Sequence, residues 1–420
     1  MVPVTSFPSD LQLVGLAPDR LRDLLELDQW AFPSSDSFED VLKVPCPLSW
    51  DRTFGVIDPA RPERLLAVHS SYPFGDCPVP GGRLPVAGLT WVGVHPEQRR
   101  RGILRTMIEA HFQHCLAWGE PVSLLTASEP AIYGRFGYGL AAHQVNLTIP
   151  RGAALRAVTG SDEIEVRVEH CTAQRHRDLV SRLHAAIDRP GWVTRETPEL
   201  VNIWMHESPI FHPGFESGRI LVAERGGEEV GYALFRRKSS WGAAGPEGTV
   251  KVSEVVGLDA ATTHALWTRL LDFDLTTEVT TNALALDDPL LSMLLDIRAA
   301  RPVMHDNVWV RVLDVAQALS GRRYAADVDV VLEVSDDLVP ANTGRWRLSA
   351  AAFGHATVER TDDEPDLSLD IRELGAAYLG GIRLSQLADS GLVGVHSAAA
   401  LDRATAAFGW TQLPVASWVF

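Results

Sequence analysis

Long apolar runs are missing from this 420-residue chain, and no uninterrupted stretch is long enough to cross a bilayer, so no membrane span is expected. Cysteine is scarce. The four present, Cys46, Cys77, Cys115 and Cys171, lie far apart with no CxxC spacing. That argues against a disulfide scaffold or a structural zinc site and fits a reduced, cytoplasmic protein. The opening MVPVTSFPSDLQ lacks a basic region followed by an apolar run, so no signal peptide is expected. A basic excess is absent too. The net charge of −16 disfavours nucleic acid as a partner and suits a polycationic substrate. The fourteen histidines include no HExxH or comparable ligand spacing, so no metal is expected, and His111 and His114 read as packed or solvated side chains. No GxSxG or other nucleophile motif occurs, which points away from a covalent enzyme intermediate.

What is present implies two or three soluble domains, because 420 residues exceed one ordinary core. The most informative stretch runs from Leu84 to Gly139. Its first part, with Val86, Leu89, Trp91, Val92 and Val94, is β-prone, and Pro96 ends it. From Ile103 the apolar residues Leu104, Met107, Ile108, His111, Phe112, Cys115 and Leu116 follow helical spacing. Between them stand Arg99, Arg100, Arg101 and Gly102. A helix N-terminus offers unpaired N–H groups and a positive dipole end, which make arginine unfavourable there unless an anion binds. Gly102 permits close backbone approach, so the junction reads as a phosphate site rather than a solvated helix start.

The segment Val92-Gly93-Val94 followed by Arg99-Arg100-Arg101-Gly102-Ile103-Leu104-Arg105 resembles the acetyl-CoA motif of the GNAT N-acetyltransferases. Together with Ser128-Glu129 and Ile132-Tyr133-Gly134-Arg135-Phe136-Gly137-Tyr138-Gly139, it resembles the enhanced intracellular survival (Eis) family of aminoglycoside N-acetyltransferases. The resemblance implies an α/β and α+β chain: tandem GNAT-type domains over 1–149 and 150–303, the second degenerate. A sterol-carrier-protein-like domain over 304–420 follows, with its C-terminus in the active site. It also implies acetyl-CoA as cosubstrate, held by Val92 to Val94, Arg99 to Arg105, Ser128 and Glu129. Tyr133 becomes the acid for the leaving thiolate, since a phenol of pKa about 10 stays protonated at neutral pH. The carboxylate of Phe420 becomes the base. The apolar ending Trp418-Val419-Phe420 is unusual for a fraying terminus and independently points to a docked tail. Phe32, Asp36 and Trp204 are implied as substrate-pocket residues, and a homo-hexamer as the assembly.

Elsewhere the pattern predicts a helix over 18–31 with Leu21, Leu24, Leu25 and Leu27 on its apolar face, and strands at 53–58, 65–72, 122–126 and 141–149. The strand Val122 to Thr126 is expected parallel to Leu89 to Val94, the two then splaying to admit the acetyl-pantetheine arm. In the second domain a hairpin turning at Gly226-Gly227, a strand at 250–258 and a helix at 260–275 repeat the first domain's order. There Asp259 stands where the first copy has arginines, so CoA binding is not expected. A further helix is expected over 195–207. Val308 to Asp314 is expected to open the third domain, with strands at 328–334, 345–349 and 354–360. Two other functions fit the residues: acetylation of protein lysines, and a non-catalytic acyl-CoA or lipid carrier.

Overall fold

The computed structural model describes residues 10–195 and 197–420. They form two compact units. The first contains the chain up to Ala142, Arg189–Val193 and Asn307–Phe420; the second contains His143–Asp188 and Thr194–Asp306.

The first unit is built on a seven-stranded sheet. Its strands β1 (Gln12–Gly15), β2 (Thr53–Asp58), β3 (Arg61–Val79) and β4 (Gly82–Val94) pair antiparallel in turn. Helix α1 (Leu21–Ala31) and the short α2 (Phe38–Val41) come between β1 and β2. After β4 the chain crosses over through α3 (Ile103–Ala117), so β5 (Val122–Leu125) lies parallel to β4. Ile103 and Met107 of α3 pack with Val56 and Ala67 on one face of the sheet. On the other face α1 comes so close that a methyl group at Gly93 would lie 3.0 Å from the Ala31 methyl. Between β3 and β4 the register shifts where Trp91 holds φ at +53°, a bulge that puts two residues of β4, Trp91 and Val92, against one of β3, His69. Gly88, Thr90 and Gly93 therefore share the α1 face.

The far side of β5 is completed from a distance. Trp309–Val312, expected to open the third domain, instead pairs antiparallel with β5 and with β6 (Gly139–Leu140). Its alternating apolar side chains make it a strand, and the open edge of β5 supplies its partner. Helix Ile371–Tyr378 then lies directly on this strand pair. A methyl at Gly139 would be 2.0 Å from the Arg372 carbonyl oxygen, and one at Gly375 would be 2.3 Å from that of Val310. Both glycines are required by close backbone approach. A five-stranded sheet follows, in the order Ala356–Arg360, Gly344–Ala350, Val328–Ser335, Leu367–Asp370, Val393–Val395. Buried Arg322 donates to the carbonyls of Tyr378 and Phe408, the last residues of two helices. Two negative dipole ends thus stand in for a carboxylate partner.

The second unit holds a six-stranded sheet around Leu221, Phe235, Val250, Trp267 and Val279. Its hairpin Arg219–Arg225 to Glu228–Lys238 turns at Gly226 and Gly227 as expected. Several boundaries differ from the sequence reading. The expected strand at 141–149 is broken into His143–Asn146 and Thr148–Pro150. The strand at 65–72 extends over Arg61–Val79, and the helix at 260–275 stops at Leu270. The helix at 195–207 covers only Pro198–Trp204, where Thr197 caps it by accepting from the Leu200 N–H at 3.2 Å.

Candidate active site

A gap opens in the first sheet beside β4. Val86, Ala87 and Gly88 pair with Val122, Ser123 and Leu124, and there the contact ends, although β4 continues to Val94. The expected pairing of Val122–Thr126 with Leu89–Val94 is therefore corrected to three residues further back. Beyond Gly88, the β5-facing backbone groups of β4, including those of Val92 and Val94, have no strand partner among the described residues. The bulge at Trp91 turns β4 away, and this gives the divergence a physical cause.

One end of the gap leads to the arginine loop. Gly102 sits at φ +82° as the N-cap of α3, with no side chain capping the helix, and Arg100 also adopts a positive φ of 65°. Among the described residues, a methyl at Gly102 would meet nothing within 4 Å, so the helix start is open at this position. The side chains of Ile103 and Leu104 pack inward and anchor the helix, which leaves their backbone N–H groups for a ligand. The arginines are not equivalent. Arg101 pairs with Asp10 at 2.6 Å and donates to Gln98, and Arg105 pairs with Glu109 at 2.8 Å. Arg99 and Arg100 are exposed and have no ion-pair partner among the described residues. An uncapped helix end, an open glycine and two uncommitted cations fit a pyrophosphate. The corresponding helix in the second unit differs: Asp259 accepts from the Thr262 N–H at 2.8 Å and pairs with Arg225, so its N-terminus is already filled.

The two candidate proton-transfer residues approach from opposite faces. Tyr133 lies in the 3-10 segment Pro130–Phe136 and packs, edge-on to Tyr138, against the cluster containing Ala87, Leu89 and Phe112. Burial first, and then the nearby Glu129, push its phenol up to about 12. Phe420 is on the face of Gly88, where its ring meets Phe74 at 5.1 Å and Trp418 at 5.6 Å. Because Ala87 and Leu89 point opposite to Gly88, Tyr133 and Phe420 belong to different sides of the sheet. The tail is tied down along its length. Ala416 N–H donates to Asn307 Oδ1 at 2.6 Å, Ser417 Oγ and Trp418 Nε1 donate to the Val193 carbonyl at 2.9 and 3.0 Å, and Thr126 bonds Phe420.

The remaining sequence candidates are spread out. Ser128 and Glu129 are exposed where β5 gives way to the 3-10 segment. Phe32 directly follows α1 and is 39% exposed, while Asp36 accepts from the Ser34 hydroxyl at 2.8 Å. Trp204 belongs to the second unit. Its ring stacks on the Arg195 guanidinium at 3.9 Å, beside a cavity of about 190 Å³ lined by Val180, His184, Thr194, Arg195, Val201 and Trp204. His111, read as a packed or solvated side chain, is buried and shares a hydrogen bond with Ser123 at 2.9 Å.

Two polar residues of the first unit went unnoticed in the sequence. Thr126 carried no signal. Asp28 did, because it continues the series Leu21, Leu24, Leu25 by falling on the apolar face of α1. Its carboxyl has no hydrogen-bond or ion-pair partner among the described residues, and burial raises it to about 6.

Among the described residues, no group of three or more His, Cys, Asp or Glu side chains is arranged to hold a metal ion, and no helix is long and apolar enough to cross a membrane.

Comparison with known proteins agrees with this geometry. Residues 15–141 and 191–312 each match an acetyltransferase (GNAT) domain, and residues 315–417 match a sterol carrier protein domain. The chain is 41% identical to an uncharacterized N-acetyltransferase of Streptomyces coelicolor, across 87% of this chain and 88% of that one. It is 31% identical to the N-acetyltransferase Eis of Mycobacterium tuberculosis, across 79% of this chain and 80% of that one. Its structure aligns with that of Eis1 from Mycobacterium abscessus at a TM-score of 0.81 and 27% identity, covering 98% of this chain and 100% of that one. The chain thus belongs to the Eis family of GNAT acetyltransferases, with two GNAT domains followed by a sterol carrier protein domain.

Proposed function

We propose that this acetyltransferase transfers acetyl from acetyl-CoA to primary amines of polycationic small molecules such as aminoglycosides, by direct attack in a ternary complex. The observation that carries the reading is the gap beyond Gly88 and Leu124, with Tyr133 on one face and Phe420 on the other. Acetyl-CoA supplies an activated thioester carbonyl. The amides of Gly102 to Leu104, with Arg99 and Arg100, hold its pyrophosphate, and the unpaired backbone at Val92 and Val94 receives its pantetheine amides. As the C–N bond forms and the C–S bond breaks, one proton leaves the amine and one reaches sulfur. The carboxylate of Phe420, a residue that is 9% exposed, accepts the first. Tyr133 supplies the second. Its pKa of about 12 exceeds that of an ordinary thiol, about 8.5, so it first stabilises the developing thiolate through a hydrogen bond. Phe32 and Asp36 receive the amine, and the net charge of −16 favours a polycation.

The test is CoA release from acetyl-CoA with an aminoglycoside panel, comparing wild type, Tyr133→Phe and a chain lacking Phe420. Turnover is expected to fall roughly 10²–10⁴-fold in each variant with acetyl-CoA binding retained. Normal turnover in the shortened chain overturns the terminal base. Wild-type activity on lysine peptides but on no aminoglycoside overturns the substrate.

A further inference from the structure

Thr126 makes two hydrogen bonds to one residue. Its hydroxyl donates to the Phe420 carboxyl oxygen at 2.8 Å and accepts from the Phe420 N–H at 3.2 Å. A hydroxyl has one proton. Because the Phe420 N–H occupies a lone pair, that proton is directed to the carboxyl. Thr126 directly follows β5 at the point where β5 leaves β4, and its β-branched side chain has restricted χ1 freedom. The contacts upstream, through Asn307 and Val193, fix residues 416–418 but not the final carboxyl. Val419 is 72% exposed and adds little anchoring.

We infer that Thr126 is a positioning residue that clasps the main chain of Phe420 and aims its carboxylate at the substrate amine. The inference rests on the reading of Phe420 as base. With one carboxyl oxygen held by Thr126, the other is left to take the amine proton.

Two measurements test this, one of them independent of activity. In the first, carboxypeptidase A trims the intact protein and mass spectrometry follows release of Phe420. Thr126→Val, nearly the same shape without the hydroxyl, is expected to release it about 10-fold faster, and Thr126→Ser to protect it as wild type does. In the second, CoA release is measured with acetyl-CoA and an aminoglycoside accepted by the wild type. Thr126→Val is expected to lower kcat about 10–100-fold with little change in the KM for acetyl-CoA. Thr126→Ser restores most of the rate. Equal trimming of Thr126→Val and wild type overturns the clasp. An unchanged kcat in Thr126→Val overturns the link to the carboxylate. A fully active chain lacking Phe420 removes the base itself, and the trimming result then stands or falls separately.

Discussion

At the scale of single residues, the first unit contains a charge on the wrong side of a helix. Asp28 interrupts the leucine face of α1, and its carboxyl is favoured in the neutral form. Its folded pKa of about 6 lies above the ordinary 3.8, so the folded state holds the proton more tightly than the unfolded one. Below pH 4 the site carries no penalty. Stability is lost as the pH rises through about 6, and above that the cost is complete, on the order of 1–3 kcal/mol. Asp28→Asn keeps the shape and cannot ionise. Its unfolding midpoint in denaturant is expected to exceed that of wild type at pH 8, with the difference closing at pH 4. An equal gain at both pH values would mean that ionisation of Asp28 is not the cause.

At the scale of elements, α3 shows how a helix is prepared for an anion. Its apolar face is held by Ile103, Met107 and Phe112, while its first turn has no cap and opens to solvent at Gly102. Arg100 has no ion-pair partner among the described residues, whereas Arg101 is bound to Asp10. Arg100→Ala should therefore raise the KM for acetyl-CoA by about 10-fold at low salt and less at high salt, and Arg101→Ala by no more than about threefold. Steady-state kinetics at two ionic strengths checks this ordering. Most of this element was legible: the spacing from Ile103 to Leu116 set the helix, and Gly102 marked its start. The sharing of arginines was not, because it depends on Asp10, about ninety residues earlier. The strand pairing beside the gap is expected three residues too far along, since it depends on the Trp91 bulge, for which the sequence has no local marker. The strand Trp309–Val312 was recognisable as a strand but not by its partner, because four residues specify a face and not a neighbour.

At the scale of the whole first unit, the catalytic sheet and the C-terminal segment share a buried ion pair. Arg311, on that distant strand, meets Asp336 through Nη2 at 2.7 and 2.8 Å, and both side chains are sealed from solvent. Asp336 also accepts from Asn342 and from the Leu338 and Val339 N–H groups. Asp336→Ala leaves a buried guanidinium uncompensated and is expected to cost about 3–5 kcal/mol of stability by denaturant unfolding, far more than Asp363→Ala on the surface. Equal effects would show that the pair is not what joins these segments. The route of the chain has another consequence, which concerns its synthesis. Leu125 and Trp309 are sheet neighbours separated by about 180 residues of sequence. At ~5–20 residues per second, the ribosome needs roughly 10–40 s to deliver the second after the first. For that interval the nascent chain carries an apolar strand with a bare edge, open to pairing with any other polypeptide. The hazard ends only when Trp309 arrives, and it is separate from the stability of the finished fold.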